Sequence, residues 1–354
     1  MELGIIGLPQ TGKKSLFGLL TGAILSDSGD KIIAGVADKR DSRFDALVKM
    51  YTPKKEVPAR INLQLLQKIE SDSIRDGKIF TDISKMDALC HIVRAFEDDS
   101  VYHAKGSVDP LRDIEMINSE LILHDLIFIE KRFERIENSR KKRNDTKLDE
   151  EEALLLKMKS HLEKDLHLRT FELKEEESKL ISGYPFITGK EMLIVLNVDD
   201  RKIADKSLME KIRADLEPLA MEIMQVSVKL EAEISGLDSE EEKAEFMADA
   251  GITEPALNKL SELSMRVLGL ISFFTVGKDE VRQWFIKRGS SAPIAAGAIH
   301  SDIQKGFIRA EVMKYVDLIE AGSEDELKKC GKFHVMGKEY IVEDGDIINF
   351  RFNV

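Results

Sequence analysis

The segment GLPQTGKKSLF, residues 7–17, constrains the fold more than any other part of the chain. It lies between the apolar run LGII and a stretch with helical periodicity, and Gly7, Gly12 and Lys13 match the pattern G-x-x-x-x-G-K-[ST]. In such a strand–loop–helix unit, backbone N–H groups and the helix N-terminus point at a phosphate group, and the lysine ammonium reaches it. The sequence therefore predicts a buried strand followed by a phosphate-binding loop.

The position after this lysine departs from the pattern. It normally carries a hydroxyl for the Mg²⁺ that bridges nucleotide phosphates, and here it is Lys14. Ser15 comes one residue later, which on a helix is a rotation of about 100°. Either the Lys14 ammonium replaces the metal, or the site no longer turns over nucleotide, and the sequence leaves both interpretations open. The predicted phosphate contacts are Gly7, Pro9, Gln10, Thr11, Gly12, Lys13, Lys14 and Ser15.

Apolar, strand-like segments alternate with helical ones through the first part of the chain. This alternation predicts an α/β fold with a mainly parallel sheet covered on both faces. The predicted strands are LGIIG (3–7), INLQLL (61–66), ALCHIVRAF (88–96), MLIVLNV (192–198) and EIMQVSV (222–228). From Ile271 onward the pattern becomes β-rich, which predicts a small terminal domain.

A long helical insertion interrupts this alternation. Ile122, Ile129, Phe133 and Ile136 recur at spacings of seven, four and three, and a second stripe runs through Leu155, Met158 and Leu162 after a charged turn. Two such stripes predict an antiparallel coiled-coil hairpin. Two ordinary core helices remain the alternative.

Composition limits the class of protein and its compartment. The formal charge is −12, which disfavours non-specific binding to nucleic acid and gives no reason to expect DNA as a partner. No apolar run is long enough for a membrane span, and no secretory signal is visible at the N-terminus. With Cys90 and Cys330 as the only cysteines, a disulfide framework is not expected, and a reducing cytoplasm fits best.

A local basic group stands out on this acidic chain. It lies on the first insertion helix and its turn, between residues 131 and 143, and the acidic run LDEEE (148–152) follows it. Such a group can direct the hairpin toward phosphate-rich RNA. Neutralisation by the neighbouring carboxylates is the alternative. The group comprises Lys131, Arg132, Arg135, Arg140, Lys141, Lys142 and Arg143.

The chain resembles the YchF family of Obg-like ATPases. Four segments carry the resemblance: residues 7–17, 94–121, 295–312 and 337–354. It implies a Ras-like P-loop domain over residues 1–118 and 190–270, a helical insertion over 119–189, and a TGS domain of β-grasp fold over 271–354. It also implies ATP or GTP as ligand, slow hydrolysis, and association with ribosomes or their RNA through the hairpin and the TGS domain.

The resemblance also implies the residues that bind the base. GTPases use Asn-Lys-x-Asp and the family uses Asn-x-x-Glu, whereas this chain has Asn197 and Asp200 in the sequence NVDD after a strand. The choice between adenine and guanine therefore stays open. The resemblance places a second base-side loop at Ser227, Val228, Lys229 and Leu230.

The metal-side motifs of the family are altered. The segment 26–36, which corresponds to switch I, offers no threonine, and Leu65 and Lys68 occupy the Asp and Gly positions of the D-x-x-G motif. We therefore expect a poor Mg²⁺ site and very slow or no hydrolysis. His103 matches a histidine suggested to be catalytic in the family, but without a metal site a role in loop shape or binding is expected instead.

Two other functions fit the same residues. In one, the protein is a slow Mg²⁺-dependent ATPase or GTPase whose metal is held by phosphate oxygens and water alone. In the other, it is a nucleotide-free adaptor in which Lys14 fills the loop or pairs with a carboxylate.

Overall fold

The computed structural model describes residues 1–25, 32–39, 41–67, 69, 77–103, 105–141, 146–250, 252 and 254–353. By their internal contacts these residues form two compact units. The first comprises Met1–Val36 with Asn62–Val267, and the second comprises Ala37–Ile61 with Leu268–Val354.

Helices and strands alternate along the described part of the chain. The strands β1 to β12 are, in order, Glu2–Ile6, Ile33–Lys39, Lys55–Val57, Ala59–Leu65, Ala88–Ala95, Glu191–Val198, Glu222–Val226, Leu270–Thr275, Glu280–Lys287, Phe307–Lys314, His334–Met336 and Asp346–Phe352. The helices α1 to α14 are, in order, Lys13–Thr21, Ser42–Tyr51, Lys78–Ser84, Pro110–Arg140, Thr146–Leu162, Glu175–Ile181, Ser207–Leu216, Val228–Ser235, Glu240–Asp249, Ala256–Val267, Ala292–Ile299, Ser301–Lys305, Tyr315–Ala321 and Glu324–Lys329.

The sheet of the first unit has the order β2-β4-β1-β5-β6-β7. Strand β1 pairs in parallel with β4 and β5, and the pairs β5–β6 and β6–β7 are also parallel. Every residue of β5 is buried, as expected for a strand covered on both faces. The α/β fold with a mainly parallel sheet is thus confirmed. Because the carboxyl ends of parallel strands share one edge, the loops after β1, β6 and β7 lie along that edge.

The insertion forms a helical hairpin of α4 and α5. Pro110 occupies the first turn of α4, and the carboxylate of Asp109 accepts a hydrogen bond from the Arg112 amide, so the helix begins with a side-chain cap. The two stripes meet as their spacing predicts, because both belong to one buried cluster. That cluster includes Ile122, Ile129, Ile136, Leu154, Leu155, Met158 and Leu162.

The base of the hairpin is fastened by Asp125 of α4, whose side chain is fully buried. Its carboxylate accepts hydrogen bonds from the backbone N–H groups of Ile187 (3.0 Å) and Thr188 (2.8 Å), and from the Thr188 hydroxyl (2.6 Å). One carboxylate thus accepts the hydrogen bonds of the backbone N–H groups in the turn that leads from the insertion into β6.

Three of the seven cations of the basic group are paired with carboxylates of the hairpin. Arg132 bonds to Glu151 at 2.8 Å, Arg140 bonds to Asp149 at 2.5 Å, and Lys141 lies 3.3 Å from Glu137. These pairs support the neutralisation alternative for the cations they involve. Lys142 and Arg143 lie outside the described residues.

The second unit is built on a mixed sheet of the order β11-β10-β12-β8-β9-β3. Strand β10 is antiparallel to β11 and β12, β12 is parallel to β8, and β8 is antiparallel to β9. Helix α11 packs on one face of this sheet, since its alanines share a buried cluster with Ile271, Phe273 and Phe350.

Residues 37–61 group with this second unit, whereas the division drawn from the sequence leaves them with the P-loop domain. The reason is packing and strand pairing. Phe44 and Leu47 of α2 share a buried cluster with Phe274 and Val281, and β3 pairs in parallel with β9. No described helix is long and apolar enough to cross a lipid bilayer.

Replacing Asp125 by alanine should destabilise the base of the hairpin. The change leaves the buried amides of Ile187 and Thr188 without their acceptor, which we expect to cost about 3 kcal/mol of unfolding free energy. Urea unfolding measures this cost, and hydrogen exchange of the 185–190 backbone locates it. Asp149→Ala is the matched control, because that exposed carboxylate pairs only at the surface and should cost less than about 0.5 kcal/mol. Equal costs for the two variants would contradict the assignment.

Candidate nucleotide site

The phosphate loop, residues 7–15, joins the end of β1 to the start of α1. Two of its positions admit only glycine. Gly7 has φ +148°, and a Cβ there would lie 2.4 Å from the carbonyl oxygen of Ile92. Gly12 has φ +91°, and a Cβ there would lie 2.5 Å from Nδ2 of Asn197. The glycines of the motif are therefore required by neighbouring strands as well as by the turn itself.

The lysine of the motif lies inside this loop. Lys13 is buried, and its Nζ donates hydrogen bonds to the carbonyl oxygens of Gly7 and Leu8, the second at 3.0 Å. The buried hydroxyl of Thr11 donates to the same Leu8 carbonyl at 3.2 Å. The loop thus holds an ammonium group close to its own backbone, at the place where a phosphate would need it.

His91, on β5 next to β1, adds no charge to the loop. Burial, helped by the nearby positive charge of Lys13, lowers its pKa to about 3. The imidazole is therefore neutral at physiological pH, and Lys13 supplies the positive charge on this side of the loop.

Helix α1 begins in a way that suits an anion. Its N-cap is Gly12, which offers no side-chain cap, and its first turn contains no acidic residue. Instead it opens with Lys13 and Lys14, two cations at the positive end of a helix dipole. A bound phosphate group would accept hydrogen bonds from the uncapped N–H groups of the helix and would neutralise the two lysines at its positive end.

Asn197 connects the phosphate loop to the base side. Its amide nitrogen donates to the carbonyl oxygen of Thr11 at 3.0 Å, and its amide oxygen accepts from the backbone N–H of Val228 at 3.1 Å. The side chain is almost fully buried, so these bonds are shielded from water. The ends of β1, β6 and β7 are thereby held together by one side chain.

Asp200, just after β6, is held by two residues from the start of α8. Its Oδ1 accepts from the Ser227 hydroxyl at 3.0 Å, and its Oδ2 accepts from Lys229 Nζ at 2.9 Å. Partial burial acts to raise the pKa of Asp200, but the hydrogen bonds from Lys229 and Ser227 outweigh it and lower the pKa. The Ser227 hydroxyl also accepts from the Leu230 amide and so caps α8. The residues predicted for the base side therefore lie together around an ionised carboxylate.

Comparisons with known proteins find relatives that match this chain along its whole length. The family model YchF-GTPase_C, described as a protein of unknown function (DUF933), matches residues 270–353. The ribosome-binding ATPase YchF of Bacillus subtilis is 39% identical, and the match covers 100% of both chains. The Obg-like ATPase 1 of Caenorhabditis elegans is 36% identical over 100% of this chain and 92% of its own length. The chain belongs to the YchF family of Obg-like ATPases.

A solved structure agrees with this assignment. The Schizosaccharomyces pombe YchF GTPase superposes with a TM-score of 0.85 at 28% identity, covering 99% of this chain and 97% of that one. The Ras-like P-loop fold with a C-terminal domain, expected from the resemblance, is therefore confirmed.

The structure describes part of the side of the site where the resemblance leads us to expect a metal. Leu65, which the resemblance aligns with the D-x-x-G aspartate, is buried in β4 beside Ile5 of β1. Leu66 and Ile69 continue into the core, where they share a cluster with Phe80. Among the residues that the structure describes, no three His, Cys, Asp or Glu side chains form a group that could hold a metal ion. Lys68 and the segments 26–31 and 70–76 lie outside those residues.

The described residues of the site fit nucleotide phosphates, and two of its positions offer no ligand to Mg²⁺. The phosphate loop presents a buried ammonium and a helix N-terminus to an anion. On the metal side, an exposed lysine stands at position 14 and an apolar core side chain at position 65, neither of which can ligate Mg²⁺.

His103, the weak catalytic candidate, is engaged on both ring nitrogens. Its Nε2 lies 3.1 Å from Oδ2 of the buried Asp113, and its Nδ1 accepts from the backbone N–H of Lys105 at 3.1 Å. This network assigns the proton to Nε2, where it is donated to Asp113. In this arrangement neither nitrogen is available to orient an attacking water, and the histidine ties the loop to the start of α4.

Arg94 shapes the loop beside the site, and sequence reasoning missed it. It is buried at the end of β5, and its guanidinium donates to four backbone carbonyls of the following loop. The acceptors are the carbonyl oxygens of Phe96, Asp98, Val101 and Tyr102. A single arginine within the apolar run ALCHIVRAF was the available signal, since a buried guanidinium must find several acceptors.

The contact between Gly12 and Asn197 can be tested with a matched pair of glycines. Gly12 and Gly22 both have positive φ, but a Cβ at Gly22 meets nothing within 4 Å. Gly22→Ala should therefore cost about 1 kcal/mol of unfolding free energy from backbone strain alone. Gly12→Ala should cost about 1–2 kcal/mol more, because it also displaces Asn197. Thermal or urea unfolding measures both, and an equal loss would show that Asn197 is not held as described.

Proposed function

We propose that this protein binds a purine nucleotide, ATP or GTP or their diphosphates, in the phosphate loop and hydrolyses it very slowly or not at all. One observation carries the proposal. Asn197 bonds to the Thr11 carbonyl in the loop that holds the buried Lys13 and to the Val228 N–H on the base side. The residues proposed to bind the phosphates and those proposed to bind the base are thus connected through one side chain. Under this proposal the phosphate-side contacts are residues 7–15, and the base-side contacts are Asn197, Asp200, Ser227, Lys229 and Leu230.

Slow hydrolysis follows from the residues on the metal side. Phosphoryl transfer depends on a divalent ion that neutralises charge as it develops on the transferred group. Here Lys14 and Leu65 replace a metal-binding hydroxyl and a metal-supporting carboxylate. We infer that the Lys14 ammonium neutralises phosphate charge in the bound state, but that it cannot hold a water or clamp two oxygens during reaction.

The names of the relatives support a ribosome as partner. The Bacillus subtilis relative is named a ribosome-binding ATPase, and it matches this chain from end to end. We propose that this chain also associates with ribosomes, in the cytoplasm, and that the helical hairpin and the C-terminal unit, taken as a coiled coil and a TGS domain, are the docking elements.

A nucleotide-free adaptor is the second candidate, and one observation favours it. The Lys13 ammonium bonds to the carbonyls of Gly7 and Leu8, so the phosphate loop satisfies its own charged group. In that case the P-loop domain would serve only as a scaffold for the hairpin and the C-terminal unit.

Calorimetry with ATP, GTP, ADP and GDP, in EDTA and in Mg²⁺, tests the proposal. We expect binding in both buffers with affinities that differ by less than about 3-fold, since the protein offers the metal few ligands. Single-turnover release of the γ-phosphate, measured beside the Bacillus subtilis relative, should be far slower for this chain. Mg²⁺-dependent binding with comparable turnover would favour the slow ATPase, and no binding would favour the adaptor.

Two variants of Lys14 separate its charge from the missing hydroxyl. Lys14→Ala and Lys14→Thr both remove the ammonium, and each should weaken binding in EDTA by about 10-fold, the cost of one charge-assisted hydrogen bond. Lys14→Thr also restores the hydroxyl of the motif, so only this variant should gain affinity when Mg²⁺ is added. If neither variant weakens binding in EDTA, Lys14 does not substitute for the metal.

Co-sedimentation with ribosomes tests the partner. We expect the full-length protein to pellet with ribosomes, and the bound fraction to fall less than about 3-fold between about 50 and 200 mM salt. The reason is that Arg132, Arg140 and Lys141 are already paired with carboxylates, so these three cations would release few counterions from RNA. A steep fall with salt would show that the hairpin cations contact RNA phosphates instead.

A further inference from the structure

A cavity of about 260 Å³ lies at the base of the helical hairpin, away from the candidate nucleotide site. It is bounded by α5, the segment 168–173, α6 and the turn that leads into β6. Because β6 begins at Glu191 and Asn197 lies six residues further along it, the cavity and the nucleotide site are separated by about 20 Å of strand. The apolar side chains of the cavity wall are Met158, Leu168, Phe171, Leu173, Ile181 and Phe186.

Two cations lie beside the turn that forms one wall of this cavity. Lys190 lines the cavity, and its Nζ donates to one backbone carbonyl at 2.5 Å. The backbone N–H of Arg169 donates to the Thr188 carbonyl at 3.1 Å, which places Arg169 against the same turn. The carboxylate of Asp125 attracts both side chains, so the two positive charges lie near each other.

The guanidinium of Arg169 departs from the rule that buried polar groups are paired. Its Nε, Nη1 and Nη2 are all buried, and none of them has a hydrogen-bond acceptor within the described part of the chain. Burial lowers the pKa of Arg169 to about 10 against the attraction of Glu191 and Asp125, so the group is positive at physiological pH. The oxygens of Asp125 already accept hydrogen bonds from the amides of Ile187 and Thr188. A buried charge without hydrogen bonds destabilises a fold, and such a departure is typical of a binding site.

We propose that this cavity binds a medium-chain carboxylate, with the alkyl chain among its apolar side chains and the carboxylate group on Arg169. The charges are complementary, because a planar guanidinium pairs with a carboxylate through two parallel hydrogen bonds. The size agrees as well, since the cavity has the volume of about nine water molecules at about 30 Å³ each, which suits a ligand such as octanoate. The apolar wall favours an anion with a hydrocarbon chain over a bare inorganic anion, because the chain buries apolar surface. This inference is independent of the proposed nucleotide binding.

Titration calorimetry of the full-length protein with octanoate, butyrate and 1-octanol tests the two parts of the ligand. We expect octanoate to bind at least about 10-fold more tightly than butyrate, which lacks most of the chain. Octanoate should also bind at least about 10-fold more tightly than 1-octanol, which lacks the charge. Failure of octanoate to bind overturns the proposal, and so does equal affinity for octanoate and 1-octanol.

The variant Arg169→Met separates ligand binding from folding. It keeps an apolar stem and removes the buried charge, so the ligand-free protein should melt at the same or a higher temperature. The variant should bind octanoate about 10-fold or more weakly and 1-octanol within about 3-fold of the parent protein. A purely structural role of Arg169 would not change the discrimination between these two ligands. A lower melting temperature with unchanged octanoate affinity would show that Arg169 serves the fold, and the proposal would be wrong.

Two glycines of the same segment test where the ligand binds. Gly189 lines the cavity, and a Cβ there would lie 3.9 Å from the Leu168 Cβ, an ordinary contact. A Cβ at Gly183 would meet none of the described residues within 4 Å, and neither glycine has a positive φ. Both positions therefore admit a side chain. Gly189→Leu should obstruct the cavity and weaken octanoate by about 10-fold or more, whereas Gly183→Leu should leave the affinity within about 3-fold. Equal effects of the two variants would place the ligand elsewhere and overturn the site.

Discussion

The Asn197 side chain is the interaction on which the architecture of the candidate site depends. Its amide nitrogen donates to the Thr11 carbonyl and its amide oxygen accepts from the Val228 backbone N–H, so it bonds to two other segments. The loops after β1, β6 and β7 come together only because parallel strands end at one edge, and a buried amide with a donor and an acceptor can join them. The requirement for glycine at position 12 follows from this contact, since a Cβ there would meet the Asn197 amide.

On the other side of the phosphate loop, apolar side chains pack into the core of the first unit. Leu65 is buried at the end of β4, and Leu66 and Ile69, which follow this strand, share a core cluster with Leu8 of the loop. Burying such side chains contributes about 1.5–3 kcal/mol each, and a carboxylate in the same place would have to be desolvated. Apolar residues that stabilise the first unit therefore stand where the proposed function expects no ligand for a divalent ion. The phosphate side retains Gly7 and the buried Lys13.

Much of this could be predicted from local patterns. The glycine spacing of the loop gave the strand–loop–helix unit, and the seven-residue spacing of Ile122, Ile129 and Ile136 gave the paired face of the hairpin. Such features are encoded within a few turns or one strand, so the sequence carries them directly. The base-side residues required the family resemblance, since nothing in NVDD alone distinguishes a base-reading loop from any polar loop.

The features that could not be predicted depend on pairing between distant segments. Strand β3 pairs with β9 across more than two hundred residues of sequence, and no local pattern in residues 37–61 points to that partner. The hydrogen bond between His103 and Asp113 is likewise a property of the folded loop, and it shows that the histidine holds the loop to the start of α4. The hold of Ser227 and Lys229 on Asp200 also depends on two strands lying side by side.

The buried guanidinium of Arg94 has an electrostatic consequence for the surface. Because the carbonyls of the following loop turn inward to this one cation, its side chains face solvent, and Glu97, Asp98 and Asp99 are all exposed. The Glu97 amide also donates to Asp199, which places a fourth carboxylate next to them. Four carboxylates therefore stand together in the loops that follow β5 and β6, and their charge disfavours the approach of other anions to this part of the surface.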